Sequence, residues 1–237
     1  MKKTLLTLII SSFLSFGSLC VNAAEANAQA LVIKVKGSVT SLSSGQVQPA
    51  TLKVGDKLSQ GATIVTSPDS EVDIQAFNGA VASIKANSTV NLEKLSVITS
   101  GGSVTKQTAL LNLKVGDVLS TIDPANHNIN DYGIRTPKGV AAARGTVFGV
   151  SVSKSGNVKV YVTNSTVVFT NPVTNQSVTV AAGYQISVDE DGIISTPVLA
   201  PSTPTDGSVE VGDKNAGTPK YDSSQNNSSS LNPSGML

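Results

Sequence analysis

Period-two alternation runs through the middle of the chain. Glu71-Val72-Asp73-Ile74-Gln75-Ala76 sets polar against apolar residues in strict succession, the mark of a half-buried strand. Asn78-Gly79 follows, a strong hairpin signal. Val158, Val160 and Val162 repeat the pattern after a turn at Ser155-Gly156, with Lys159 and Tyr161 on the opposite side. Val178, Val180, Ile186 and Val188 carry it on to another turn at Glu190-Asp191-Gly192. Gly or Asn punctuates the run roughly every eight to twelve residues, the spacing of short strands. No amphipathic helix is predicted between residues 24 and 237.

These patterns predict an all-β domain over residues 31–197. Leu52-Lys53-Val54-Gly55-Asp56 returns as Leu113-Lys114-Val115-Gly116-Asp117, each followed within a few residues by another Leu. The echo and the many short strands favour a β-roll or solenoid-like stack, with a β-sandwich as the alternative.

Residues 134–150 hold the densest information. Thr136 precedes Pro137, which biases it toward an extended conformation, and Pro137 cannot donate to a ladder. A turn near Lys138-Gly139 follows. Arg144-Gly145 then interrupts, and Gly145 permits a bulge or a positive φ. Beyond it Phe148, Val150 and Val152 point one way, with Val147, Gly149 and Ser151 the other. The stretch reads as strand, corner, strand.

The two ends differ from the middle. Met1-Lys2-Lys3 is a short basic head before the mostly apolar residues 5–19, and Val21-Asn22-Ala23-Ala24 offers small residues to a signal peptidase. This predicts a secretory signal helix over residues 1–23, with an uncleaved anchor as its rival, and a short linker over residues 24–30. Cys20 is the only cysteine. Leu19 stands where a lipid-modification signal needs a small residue, so a lipid anchor is not expected. Cleavage at Ala23 or Ala24 would leave no thiol for a disulfide, thiol catalysis or metal binding. From residue 198 onward, Pro, Ser, Thr, Asn and Gly dominate, and a disordered tail is expected.

Charge adds little direction. The chain has 17 basic and 16 acidic residues; without Lys2 and Lys3 the balance is 15 to 16, near −1. No nucleic-acid or anionic-membrane partner follows from that balance. Aromatics make up 4% of residues and Trp is absent, which weakens sugar binding on aromatic platforms.

Thr136-Pro137-x-Gly139 followed by Arg144-Gly145-Thr146-x-Phe148-x-Val150 resembles the signature of the FecR domain, a family named for a periplasmic regulator of iron-dicitrate uptake. Gly37-Ser38-Val39 resembles the family's opening strand. Val54-Gly55-Asp56-Lys57-Leu58 with Ile64-Val65-Thr66 resembles its second element, residues 80–92 a strand with an Ala-Asn-Ser step, and Ala181-Ala182-Gly183-Tyr184-Gln185 its closing segment. The resemblance spans roughly residues 31–190. It implies structural roles for Gly55, Asp56, Thr136, Pro137, Gly139, Arg144, Gly145, Thr146, Phe148, Val150 and Gly183. Regulators of this family carry a cytoplasmic segment that handles a sigma factor, one transmembrane helix, and a periplasmic domain that contacts an outer-membrane transporter. Only residues 1–4 precede the apolar run here, so transmembrane signalling by this chain alone is not expected.

No catalytic constellation stands out. His127 is the single histidine, in a loop, and makes a poor metal site without partners. The triplet Asp189-Glu190-Asp191 lacks the alternating spacing of a calcium loop. No Gly-x-Ser-x-Gly and no phosphate-binding Gly-rich loop occurs. Arg144 suits bidentate binding of a carboxylate or phosphate, although hydrogen bonds to backbone carbonyls at its corner are the favoured reading. Arg135 and Lys138 are its weaker companions as ligand-binding candidates. The expectation is a non-enzymatic, exported domain without cofactor, periplasmic or secreted, that binds or scaffolds another envelope protein. A regulatory component of the iron-uptake type and an envelope-polysaccharide binder are the alternatives. An open sheet edge would allow self-association.

Overall fold

The computed structural model describes residues 23–201, nearly all of them in strands or the turns between. The expected signal helix and almost all of the expected tail lie outside the described residues. Two sheets, A and B, face each other, and the chain lays strands on them in alternation. After β1 (Ala24–Asn27), β2 (Gln29–Lys36) lies in sheet B. A corner at Gly37 leads to β3 (Val39–Leu42) and β4 (Ala50–Thr51) in sheet A, and β5 (Lys57–Ser59) returns to sheet B. β6 (Thr63–Thr66) is in sheet A, and the hairpin of β7 (Glu71–Phe77) and β8 (Ala80–Ile84) in sheet B. β9 (Thr89–Ser100) pairs in sheet A with the first part of β10 (Ser103–Ile122); β10 then bends and finishes in sheet B against β8.

Hairpins follow in strict turn. β11 (Asn130–Thr136) and β12 (Gly139–Ala143) join sheet A, and β13 (Val147–Val152) and β14 (Val158–Asn164) join sheet B. β15 (Thr166–Asn171) and β16 (Gln176–Ala181) return to sheet A, and β17 (Tyr184–Val188) and β18 (Val198–Leu199) to sheet B. Sheet A therefore runs β4-β3-β6-β9-β10-β11-β12-β15-β16, with β1 beside β6 on the edge of β9. Sheet B runs β5-β2-β7-β8-β10-β13-β14-β17-β18. Every pairing is antiparallel except β10 with β11. Among the described residues β4 and β16 end sheet A, β5 and β18 end sheet B, and no ladder joins those ends, so both sheets are open there.

The expected all-β stack is present, and it advances in one direction as a roll does. Three expectations are corrected. Residues 24–30 are not a linker: β1 pairs with the far part of β9, and β2 begins at Gln29. Val198 and Leu199 belong to the body as β18, not to the tail. Not all strands are short, because β9 and β10 span 12 and 20 residues; β10 is long because one strand serves both sheets.

Two rims bound the roll. One carries the β2–β3 corner at Gly37, the bend of β10 and the β11–β12 turn. The other carries the β12–β13 corner at Gly145 and the β16–β17 step at Gly183. Inward faces supply a single core, in which Val72, Ile74, Ala82, Leu92, Leu111, Leu113 and Ile134 are fully or almost fully buried. Burial of each large apolar side chain contributes about 1.5–3 kcal/mol. Tyr132 lies edge-on between Phe77 and Phe148, with centroids 6.4 and 6.2 Å away. Its hydroxyl meets the Ser120 hydroxyl at 2.8 Å, so a buried polar atom is satisfied. Burial raises the Tyr132 phenol far above its ordinary value, only partly opposed by the Ser120 hydrogen bond.

Candidate functional site

The residues of the 134–150 stretch hold the fold in identifiable ways. Thr136 is buried at the Gly37 rim. Its Oγ1 donates to the Gly139 carbonyl at 2.9 Å and accepts from the Gly139 and Lys138 amides at 3.1 and 3.3 Å. One hydroxyl thus closes the Pro137-Lys138 turn. Gly139 sits where a Cβ would lie 2.4 Å from the Thr170 carbonyl and 2.6 Å from the Phe169 ring, so no side chain fits between β12 and β15. Gly145 has φ +74°, and a Cβ there would lie 2.5 Å from Pro124 Cα. Thr146 is buried behind it, with its Oγ1 donating to the Asn164 carbonyl and its carbonyl accepting from the Ile122 amide at 2.9 Å. Phe148 and Val150 enter the core from β13. Gly55 and Asp56 form the link between β4 and β5, and Gly183 the step from β16 to β17, where its amide donates to Val162.

The three cationic candidates are not brought together. Lys138 stands at the Gly37 rim with its Nζ donating to the Glu190 carbonyl. Arg135 lies on the outer face of sheet A, where its Nε donates to both Glu93 oxygens at 2.9 Å. Asn112 also donates to Glu93, at 2.9 Å. A register shift between Leu110 and Leu111 makes Glu93 the extra residue of a bulge, and such a bulge re-aims a side chain. No local signal announces this pairing, because 42 residues separate Arg135 from Glu93.

Arg144 stands alone at the opposite rim. The expected carbonyl bonds are not made: among the described residues no hydrogen bond or ion pair reaches its guanidinium, and Gly145 and Thr146 build the corner instead. The physical reason is direction. Ala143 points into the core and Arg144 outward, exposed. Its side chain forms one wall of an open cleft of about 360 Å³ on the outer face of sheet A, with Asp131, Ala142, Thr166 and Val168. The floor is shallow because Ala142 is small and its cross-strand neighbour in β11 is Gly133. Asp131 is engaged by Lys106 at 3.0 Å, on the hairpin of β9 and β10. The cleft therefore pairs a guanidinium that no described residue compensates with a floor of small apolar side chains. That combination suits a carboxylate carried on an extended or flat surface. Sequence reading singled out Arg144 but not Ala142, Thr166 or Val168, whose convergence needs the β12–β15 pairing.

The remaining candidates have local partners. His127 is exposed, its Nδ1 3.0 Å from the Pro124 carbonyl at the end of the short 3-10 turn Pro124–Asn126. Asp189 accepts the Ile193 amide at 2.8 Å and so shapes its own turn. Among the described residues no three His, Cys, Asp or Glu side chains gather into a group able to hold a metal. None of the described helices is long and apolar enough to cross a membrane.

Residues 62–168 match the sequence model of the family described as FecR protein. The matched span runs from just before β6 into β15 and contains both the Thr136 turn and the Arg144 corner. No curated protein matches the chain. Two crystal structures of a candidate anti-sigma factor from Parabacteroides distasonis are similar, at TM-scores of 0.45 and 0.46 and 15% identity. Each alignment covers 58% of this chain and 59% of the other, so the chain spans about three-fifths of the length of those solved chains.

Proposed function

We propose that the chain, whose residues 62–168 match the sequence model of the FecR protein family, is a regulatory or signalling component that works outside the cytoplasm by binding another protein. The family match supports the regulatory character, and the leader-like residues 1–23 support export. The observation that carries the binding mode is the cleft at Arg144. An exposed guanidinium without a partner among the described residues, beside small apolar side chains on a sheet, has the makings of an interface anchor. Arginine is enriched among the few residues that dominate binding energy, and a bidentate carboxylate pair is among the stronger polar contacts. The occupant of the cleft is a protein surface that presents Asp or Glu.

A photo-crosslinking side chain at Thr166 of the full chain, expressed in its native envelope, tests this. The expected result is one recurring crosslinked protein, lost in Arg144→Ala and retained in Lys138→Ala, which alters the other rim. Crosslinks unchanged by Arg144→Ala overturn the assigned site. Purified protein that turns over glycans or esters, with no crosslinked partner, overturns the binding reading altogether.

A further inference from the structure

The outer face of sheet B carries a second cleft, on the other sheet from Arg144. β10, β13 and β14 lie side by side there, and their outward residues form rows. Asp117 stands opposite Ser151, and Ser151 opposite Lys159. The next row is Leu119, Gly149 and Tyr161. Asp117, Ser151 and Lys159, with Ser153 and Asn157 from the β13–β14 turn, line an open cleft of about 410 Å³.

Ser151 gives the cleft a low floor between two longer walls. Two strand spacings, about 10 Å, separate the backbones of Asp117 and Lys159. Among the described residues neither the Asp117 carboxylate nor the Lys159 ammonium has a hydrogen bond or an ion pair. Charges nearby on the same face behave differently: Lys34 and Lys85 each reach Glu71 at 3.2 Å. The turn at the cleft's end is closed by Ser153 Oγ, which accepts the Asn157 amide at 3.0 Å and so sets Asn157 at the rim. Beside the cleft lies an aromatic ring. A Cβ built on Gly149 would be 2.1 Å from Tyr161 Cζ and 2.3 Å from its hydroxyl oxygen, so the outer end of the ring rests over the glycine. Tyr161 is half-buried in this position. Burial, and after it the charge of Asp117, raise its phenol above the ordinary value.

We propose that this face binds a neutral oligosaccharide, with one sugar stacked on Tyr161 and the hydroxyls of the next held between Asp117 and Lys159. A sugar hydroxyl both donates and accepts. The carboxylate of Asp117 only accepts, the ammonium of Lys159 only donates, and Ser151 and Asn157 do both, so each kind of contact has a partner. The two charges cancel, which favours a neutral ligand over an ion of either sign. The negative face of an aromatic ring attracts the C–H face of a pyranose. Aromatics are scarce in the chain, yet one ring beside these polar walls supplies the platform.

Titration of the full chain with hexasaccharides of α-1,4-glucose, β-1,4-glucose and β-1,4-N-acetylglucosamine, followed by amide NMR, tests the proposal. The expected result is that at least one of them shifts the amides of Asp117, Ser151, Lys159 and Tyr161, with a Kd of about 1 mM or tighter. Tyr161→Val and Asp117→Ala should each weaken that binding about tenfold, and Tyr161→Phe should keep most of it. Circular dichroism of each variant separates lost binding from lost fold. No shift from any of the three sugars at about 10 mM overturns the proposal. Shifts that survive both Tyr161→Val and Asp117→Ala, or that glycerol reproduces at the same concentration, overturn it as well. Crosslinks from Thr166 report on sheet A, so either reading can fail without the other.

Discussion

The same five residues, Leu-Lys-Val-Gly-Asp, turn the chain from sheet A to sheet B twice, and the two corners are held in different ways. Each has a buried leucine, Leu52 or Leu113, and a glycine with φ near +92° or +100°. At residues 52–56 the strand breaks. Asp56 Oδ2 accepts the Lys53 amide at 2.8 Å, the Gly55 amide donates to the Val32 carbonyl at 2.8 Å, and nothing lies within 4 Å of a Cβ built on Gly55. At residues 113–117 the strand continues through the bend. The Asp117 amide donates to Ser88 Oγ at 2.9 Å, the Asp117 carbonyl accepts from the Lys85 amide at 2.9 Å, and a Cβ on Gly116 would lie 2.5 Å from Ser88 Cα. The first corner largely closes itself, and the second is closed by the β8–β9 turn packed against it. A short motif can thus specify a backbone turn while the surrounding chain decides how much stability rests on it.

The largest expected effect follows from that contact. Gly116→Ala should cost about 3–5 kcal/mol, from strain at positive φ added to overpacking against backbone that cannot move aside. Denaturant unfolding monitored by circular dichroism measures it. A loss below about 1 kcal/mol would mean that the β8–β9 turn yields easily, and the contrast between the corners would collapse. Ser88→Ala should come next, at about 1–2 kcal/mol, because it leaves the Asp117 amide without its acceptor in a partly buried place. Gly55→Ala meets open space and should cost about 1–2 kcal/mol from backbone conformation alone.

How much of this was legible in the sequence follows the same division. Local chemistry was readable: the Asn78-Gly79 hairpin, the Thr136-Pro137 turn, the positive φ at Gly145 and the alternation of β7, β14 and β17 all appear where the residues predict them. The pentapeptide echo was readable as a repeat. Its meaning, a change of sheet, was not, because that depends on which strands β4, β5 and β10 pair with. Partners distant in the chain were equally hidden. Arg144 looked like a corner brace because Gly145 and Thr146 flank it, yet those two neighbours satisfy the corner and leave its side chain outward. Arg135 looked free until the bulge at Glu93 supplied its carboxylate. The strand Ala24–Asn27 was hidden for a related reason. Its four residues alternate only small alanines with Glu25 and Asn27 and are all exposed, and their pairing with β9 is set by the length of β9.

The smallest effects discriminate best between the two corners, because they concern the same residue of the motif. Asp56 contributes its side chain, accepting the Lys53 amide, whereas Asp117 contributes only its backbone amide and carbonyl. Asp56→Ala should therefore cost about 0.5–1 kcal/mol, the net worth of one partly exposed hydrogen bond. Asp56→Asn keeps an acceptor oxygen and should recover most of that loss. Asp117→Ala removes an exposed carboxylate that makes no hydrogen bond or ion pair among the described residues, and should stay within about 0.5 kcal/mol of the parent. Equal losses at the two aspartates would mean that both corners close by the side chain, and that the Ser88 contact is incidental. A loss at Asp56 alone, restored by Asn, would mean that the first corner carries its own closure in its sequence while the second borrows it from Ser88.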